Sequence, residues 1–175
     1  MKNLIVLLTV LLSLVSVKAQ PITGGASGGF GVSFVTAEIT NSTATDIVAG
    51  DVVAQFTEIP NAVRVAGGSA TLFTVTYISA NTNGTSVDLL LCSRPITIPA
   101  NSSPFVYSAV DRPYIIYPIS FVTGDFKPFA TTNSIANKQF ILPVWASTNN
   151  IYVCGICRQA ITNVGNDVVT FTFLP

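Results

Sequence analysis

The sequence predicts an all-β protein, a single antiparallel β-sandwich with the topology of a jelly roll, and three observations support this. Short apolar runs are separated by turn residues at intervals of about 8–12 residues or more. Beyond the N-terminal segment, no window longer than about ten residues has the i, i+3, i+4, i+7 spacing of an amphipathic helix. Two runs, Thr71–Ser79 and Asp167–Leu174, alternate apolar and polar side chains with the period of a half-buried strand.

Strand candidates follow one another along the whole domain. The predicted strand Tyr114–Val122 contains Pro118, which places this strand at a sheet edge or at a bulge, because proline cannot donate a ladder hydrogen bond. Residues 124–137 are expected to form a loop, as is the proline-rich stretch that follows the fourth strand. The predicted strands are Phe30–Ile39, Asp51–Thr57, Thr71–Ser79, Val87–Cys92, Tyr114–Val122, Gln139–Trp145, Ile151–Cys157 and Asp167–Leu174.

The third and fourth of these strands are predicted to form an antiparallel hairpin. Asn83-Gly84 lies between them and supplies the positive φ that a tight hairpin turn needs. Val87–Cys92 is almost continuously apolar, which is typical of a strand covered on both faces.

The chain divides into three parts. Lys2, the apolar run Leu4–Val17 and a small residue at Ala19 predict a signal peptide over residues 1–19, cleaved after Ala19. The run is short against the about 20 residues of a membrane-spanning helix, although an uncleaved hydrophobic anchor is the alternative. The glycine-rich residues 20–29 are expected to be a tether, and residues 30–175 to be the sandwich domain.

Composition excludes several functions. The chain is 49% hydrophobic and 9% charged, where soluble proteins average about 25% charged, so its surface is expected to be neutral and partly covered by partners. Net charge is zero and no basic run exists, which argues against nucleic-acid binding. Histidine is absent, which excludes Ser-His-Asp and Cys-His catalysis.

Cys154-Gly-Ile-Cys157 has the C-x-x-C spacing, yet it lies within a predicted strand. There the two side chains point to opposite faces, with Cα atoms about 10 Å apart, whereas a disulfide needs less than about 7 Å. A zinc site needs four ligands, and Cys92 is the only further cysteine. The cysteines are therefore expected in the core; a bridge from Cys92 to one of the others, or a redox role, are the alternatives.

Carboxylates, aromatic residues and glycosylation sequons offer further candidates. Carboxylates are scattered, and Asp125 and Asp167 lie in predicted loops without the ligand spacing of a calcium site. Tyr107, Tyr114, Tyr117 and Trp145 form a sugar-stacking platform or, as expected for β-strands, belong to the core and sheet faces. The sequons at Asn41, Asn83 and Asn101 are as numerous as chance predicts and fall in predicted loops. The sequence thus predicts no catalytic, cofactor-binding or metal-binding residue.

The order of several segments resembles a family of structural proteins in the virions of tailed bacteriophages, small β-sandwiches attached to the particle. The segments are Gly50–Val53, Ile59–Ser69, Asp88–Leu91 and Ser103–Asp111, and the resemblance spans about Gly50 to Pro175. These positions are turns and core residues, not reactive groups.

The resemblance implies a non-enzymatic virion protein, a capsid-associated, decoration or fibre-type component that contacts other virion proteins. Such sandwiches often form homo-oligomers, by analogy trimers, without nucleic acid and without a membrane unless the leader is retained. The signal peptide favours an alternative: a secreted or cell-surface β-sandwich module, for example one that binds glycans.

Overall fold

The computed structural model describes residues 33–39, 47–129, 131–160 and 167–174, and for 33–39 it describes the backbone. The predicted leader, residues 1–19, and the predicted tether, residues 20–29, lie outside these ranges.

The described residues form nine strands and two short 3₁₀ turns. The strands are β1 (Ser33–Ile39), β2 (Val52–Ile59), β3 (Ser69–Ser79), β4 (Val87–Cys92), β5 (Ile115–Phe121), β6 (Lys127–Pro128), β7 (Ser134–Trp145), β8 (Ile151–Cys157) and β9 (Asp167–Leu174). The 3₁₀ turns are Ala109–Tyr114 and Thr123–Asp125.

The strands form two antiparallel sheets with the strand order of a jelly roll. The first sheet has the order β1-β9-β3-β7-β6, and the second has the order β2-β8-β4-β5. The pairs are nested along the chain, because β4 pairs with β5, β3 with β7, β2 with β8 and β1 with β9. This is the pattern of one long hairpin rolled up on itself, so the predicted fold class is confirmed.

The core lies between the sheets and is built from the inward side chains of both. Tyr77, Phe121, Phe171 and Phe173 are the largest of its fully buried side chains. The rings of Tyr77, Phe121 and Phe126 form one cluster, with centroid separations of 5.2, 5.4 and 6.0 Å. Each buried aromatic side chain stabilises the fold by about 1.5–3 kcal/mol.

A second apolar cluster lies on the outer face of the second sheet. Leu90, Cys92 and Cys154 point outward there and are buried beneath Ile96. Ile96 belongs to residues 93–114, which connect β4 to β5 and which we call the covering segment. Because the covering segment shields one sheet, β4 and β8 are buried on both faces, which explains their continuous apolar runs.

All eight predicted strands occur. Three have the predicted ends, Val87–Cys92, Ile151–Cys157 and Asp167–Leu174, and the others differ at one or both ends. Residues 30–32 of the first predicted strand lie outside the described ranges. Residues 124–137 are not simply a loop, because they contain β6 and the start of β7. Pro118 lies in β5, which is the edge of the second sheet, and the pairing of β5 with β4 is irregular between Leu91 and Cys92. An edge strand tolerates proline because its outward N–H has no ladder partner.

The hairpin predicted between β3 and β4 is wrong. The turn exists, since Gly84 has φ +73° and its N–H donates to the Asn81 carbonyl at 3.0 Å. However, residues 80–86 carry the chain from the first sheet to the second, so β3 pairs with β7 and β9 while β4 pairs with β5 and β8. A glycine turn permits a reversal, but the pairing partner depends on which faces become buried.

Candidate interaction surface

The outer face of the first sheet carries no charged side chain on β3, β7 or β9. We call the outward side chains of these three strands the neutral face; strand alternation and pairing register define them. They are Ser69, Thr71, Phe73, Thr74, Thr76, Ile78, Ile135, Asn137, Gln139, Ile141, Pro143, Trp145, Val168, Thr170, Thr172 and Leu174. Half of these residues are apolar and none is charged, a composition that favours contact with another surface.

One end of the neutral face is apolar and open to solvent. Ile141 is 87% exposed, Trp145 45% and Phe73 40%. Phe73 is the extra residue at a register shift between β3 and β9, and this bulge directs its ring outward. Complete burial of Ile141 by a partner would gain up to about 1.5–3 kcal/mol, and Phe73 and Trp145 would gain less because more than half of each is already buried.

The centre of the neutral face is a block of threonine and amide side chains. Thr74 pairs with Thr172 and Thr76 pairs with Thr170 across β3 and β9. Asn137 donates from Nδ2 to Oγ1 of Thr76 at 2.9 Å. Thr172 is buried within this block, whereas the amide groups of Asn137 and Gln139 are exposed and can donate to and accept from another uncharged polar surface.

The two sheets differ in what covers them. The covering segment buries a cluster on the outer face of the second sheet. The described residues form no corresponding apolar cluster on the neutral face. Among the described residues, the chain therefore forms an apolar cluster over the outer face of the second sheet and none over the neutral face.

The charged side chains with described positions lie away from the neutral face or at its rim. Lys138 points from β7 toward the second sheet, where its Nζ lies 2.7 Å from Oδ2 of Asp125 and 2.7 Å from the Ser120 carbonyl. Arg158 binds Asp88 at 2.8 Å on the second sheet. Lys127 on β6 pairs with Ile135 and so stands at one corner of the neutral face.

The cysteines are buried and free, and Cys154 and Cys157 lie on opposite sides of β8 as predicted. Burial, and after it the charge of Asp111, raises the pKa of the Cys92 thiol to about 12. Burial likewise raises the pKa of Cys154, and the neighbouring Cys92 adds to the effect. Thiols of this kind are protonated at neutral pH, and the thiolate is the nucleophile that redox chemistry requires.

The predicted sugar platform is not assembled. Trp145 lies on the neutral face, whereas Tyr117 lies on β5 of the second sheet. Tyr107 and Tyr114 belong to the covering segment, and the Arg94 guanidinium sits 3.4 Å above the Tyr114 ring centroid. Because Trp145 lies on the other sheet from Tyr117, the four aromatic residues do not form one shared stacking surface.

The two carboxylates considered for calcium have protein partners. Asp167 is not in a loop but begins β9, where it accepts from the Tyr77 hydroxyl at 2.5 Å and from the Ala80 N–H at 2.9 Å. Burial disfavours ionisation of Asp125, but hydrogen bonds from Lys138 and the Val122 N–H, with the Lys138 charge, hold its pKa below the usual value. Within the described ranges, no group of three or more His, Cys, Asp or Glu side chains is placed to hold a metal ion.

Three further features of the described residues bear on possible functions. The side chains of the sequon residues Asn83 and Asn101 lie in loops as predicted, and Asn41 is outside the described ranges. An open depression of about 300 Å³ beside residues 80–82 has no ionisable lining residue. Neither of the short 3₁₀ turns, the helices of the described part, has the length or hydropathy to cross a membrane.

No protein-family model matches the chain, and no curated protein matches it. The resemblance to virion sandwiches therefore stays a prediction from the sequence.

The neutral face is the feature that sequence analysis missed as a site. Its threonine pattern is visible in Thr71–Ser79 and Asp167–Leu174, which both alternate threonine with larger apolar residues. The pattern does not reveal that these two strands are neighbours in one sheet, or that β7 extends the same uncharged surface.

Proposed function

We propose that this protein is a non-enzymatic structural component of a bacteriophage virion, a capsid-associated, decoration or fibre-type protein. The observation that carries the proposal is the neutral face: an open, charge-free sheet surface whose apolar end includes Ile141, exposed to 87%. It supports a role in which the protein packs against a neighbouring virion protein.

Two further observations support the same role. Of the segments that resemble virion sandwiches, Asp88–Leu91 lies within the buried strand β4, whereas Ser103–Asp111 lies in the covering segment and is largely exposed. Jelly rolls occur in viral capsid and lectin domains alike, so the fold by itself leaves function open. Trp145 lies on a different sheet from Tyr117, so the four-residue platform considered for glycan binding does not form as one surface, while the signal peptide still favours the secreted alternative.

Purified particles provide the test. The protein should sediment with them at a fixed copy number and should stay bound in about 1 M NaCl, because salt screens charge pairs and not apolar contacts. Ile141→Lys should abolish binding, since it places a charge in the contact. Val110→Lys is the matched control, because Val110 is 73% exposed on the 3₁₀ turn of the covering segment.

Recovery of the protein as a secreted product would contradict the proposal. A protein recovered from culture fluid with Gln20 as its first residue, and absent from washed particles, is the secreted module and not a virion component. Mass spectrometry of the N-terminus and of the particles measures both properties in one preparation.

A further inference from the structure

The covering segment leaves the second sheet and returns to it at one point. β4 ends at Cys92 and β5 begins at Ile115, and these two residues pair with each other. The N–H of Ser93 donates to the Tyr114 carbonyl at 2.8 Å, so the two ends of the segment are joined directly. We call this junction of Ser93 and Tyr114 the hinge. Because the pairs β2–β8, β4–β8 and β4–β5 are formed without residues of the covering segment, the segment can lift while the second sheet stays paired.

Contacts inside the covering segment hold it together as a unit. Nη2 of Arg94 lies 3.9 Å from Oδ1 of Asp111, and the Arg94 guanidinium sits 3.4 Å above the ring centroid of Tyr114. The ring centroids of Phe105 and Tyr107 lie 5.8 Å apart. Four prolines further limit the conformations that the backbone of the segment can adopt. All of these partners belong to the segment itself, so they stay in contact when it moves away from the sheet.

The covering segment is fastened to the opposite edge of the sheet from the hinge. Backbone hydrogen bonds join residues 102–105 to residues 50–52, where β2 begins, among them a bond from the Val52 N–H to the Ser103 carbonyl at 2.9 Å. We call these contacts the clasp. The hinge lies at β4 and β5 and the clasp lies at β2, so the segment crosses the outer face of the sheet and is held at both sides.

Gln55 on β2 strengthens the clasp from the solvent side. Its Nε2 donates to the Pro99 carbonyl at 3.0 Å and to Oδ1 of Asn101 at 2.8 Å. Because Gln55 is exposed, its replacement leaves no buried polar group of its own unsatisfied. The fastening of the covering segment can therefore be weakened without disturbing the core.

Two thiols lie beneath the covering segment. Cys92 on β4 and Cys154 on β8 share the outer face of the second sheet, with Ile96 in the same cluster. Both thiols are free, and they are 0% and 1% exposed. Burial raises the pKa of each, so neither is a thiolate at neutral pH while the segment is closed. Cys157 points to the other side of β8, into the core between the sheets, and is an internal reference.

We propose that the covering segment opens about the hinge as one unit and exposes Cys92 and Cys154, which makes the outer face of the second sheet a gated site for thiol–disulfide exchange. In this reaction a protein thiolate attacks one sulfur of a disulfide partner, the S–S bond breaks, and the other sulfur leaves as a thiolate. The cysteine proton passes to water, and the disulfide is the oxidant. The inference goes beyond the proposed function, because it concerns the second sheet, whereas particle binding is assigned to the neutral face.

Labelling of the full chain with an aromatic disulfide, dithiobis(nitrobenzoate), at about pH 8 and below the urea midpoint tests the gate. Peptide mass spectrometry assigns each label, and rates proportional to reagent concentration report the opening equilibrium. Cys92 and Cys154 should react with one common urea dependence. It should be less than about a third of that of global unfolding, because the slope scales with the surface exposed.

Gln55→Ala should raise the labelling rates of Cys92 and Cys154 by the same factor, about three- to tenfold, because it removes hydrogen bonds that fasten the segment. The rate of Cys157 should change less than about twofold. Asn137→Ala is the matched control, since it removes an exposed amide hydrogen bond on the first sheet. It should leave all three rates within about twofold of wild type.

Three results would overturn the inference. If Cys92 and Cys154 react with the urea dependence of global unfolding, the covering segment is a fixed part of the fold. If Gln55→Ala leaves their rates unchanged, or changes them by different factors, the segment does not open as one unit. If Cys157 accelerates as much as the other two, the opening is not confined to the outer face. Each result leaves the proposed function intact, because particle binding is measured separately.

Discussion

The hydroxyl of Tyr77 donates a hydrogen bond of 2.5 Å to Oδ2 of Asp167, joining the middle of the first sheet to the beginning of its last strand. Both residues are almost fully buried, at 1% exposure. The same carboxylate accepts from the Ala80 N–H, so it also fixes the start of the connection that leaves β3 for the second sheet. A buried polar pair therefore secures the point at which the chain changes sheets.

Tyr77→Phe is expected to lower the free energy of unfolding by about 1–3 kcal/mol at pH 7, because it removes a donor from a buried carboxylate. Burial first, and then the charge and hydrogen bond of Asp167, raise the pKa of Tyr77 well above its usual value. The contribution of Tyr77 is therefore complete below about pH 10 and is lost as the pH rises further, since the unfolded chain ionises first. Urea titrations at pH 7 and above pH 10 should show the difference between wild type and variant shrinking.

The control for this change is Tyr117→Phe, because Tyr117 is 43% exposed at the sheet edge. It should alter stability by less than about 0.5 kcal/mol. A loss equal to that of Tyr77→Phe would show that the buried hydrogen bond contributes nothing specific.

Alkaline pH should destabilise the protein through Cys92. Its pKa is raised to about 12 in the fold, while the unfolded thiol ionises near pH 8.5, so the unfolded state releases a proton that the folded state retains. Stability attributable to Cys92 is thus present below about pH 8.5 and falls as the pH rises toward 12. Cys92→Val should flatten the decline measured by urea unfolding between about pH 8 and 10.5.

Leu90→Val is the matched change, because it alters packing in the same outer cluster without removing a titratable group. It should shift the whole stability curve and leave its slope unchanged. Parallel curves for Cys92→Val and wild type would refute the role of this thiol.

Gly84→Ala should destabilise the protein by about 3 kcal/mol or more, since it combines backbone strain with overpacking. Gly84 has φ +73°, and a Cβ there would lie 2.2 Å from the ring of Phe126. That ring packs against Tyr77 and Phe121, so it cannot withdraw without opening the core. Thermal unfolding followed by circular dichroism measures the loss.

Gly124→Ala tests whether the effect is specific, because nothing lies within 4 Å of a Cβ at Gly124. Its effect should stay within about 0.5 kcal/mol. Equal losses in the two variants would contradict the close approach of Phe126 to the turn.

Local patterns predicted the strands well because each strand's alternation depends on its own burial. Thr71–Ser79 and Asp167–Leu174 alternate because one face of each lies in the core, and the structure has them as β3 and β9. The separation of Cys154 from Cys157 followed from strand geometry in the same way. Boundaries were less certain, as β7 begins at Ser134 and not at Gln139.

Local sequence patterns do not predict which strands pair with each other. The apolar run of β4 predicted that both of its faces are covered, but not that the covering segment supplies the outer cover. The turn at Asn83-Gly84 predicts a reversal of the chain, with the next strand along the sequence as the pairing partner. The preference for β5 and β8 arises because the roll buries both sheets' inner faces together, which no single segment encodes.

The sequence by itself determined that this chain is all-β, poor in charge and without histidine, because those properties belong to residues one at a time or to their nearest neighbours. Only the tertiary structure decided which strands share a sheet. It thereby brought the uncharged sides of β3, β7 and β9 onto one surface, and the charged side chains that the structure describes lie elsewhere or at its rim. The reason is physical: side-chain period sets which face is buried, whereas long-range packing sets which faces become continuous.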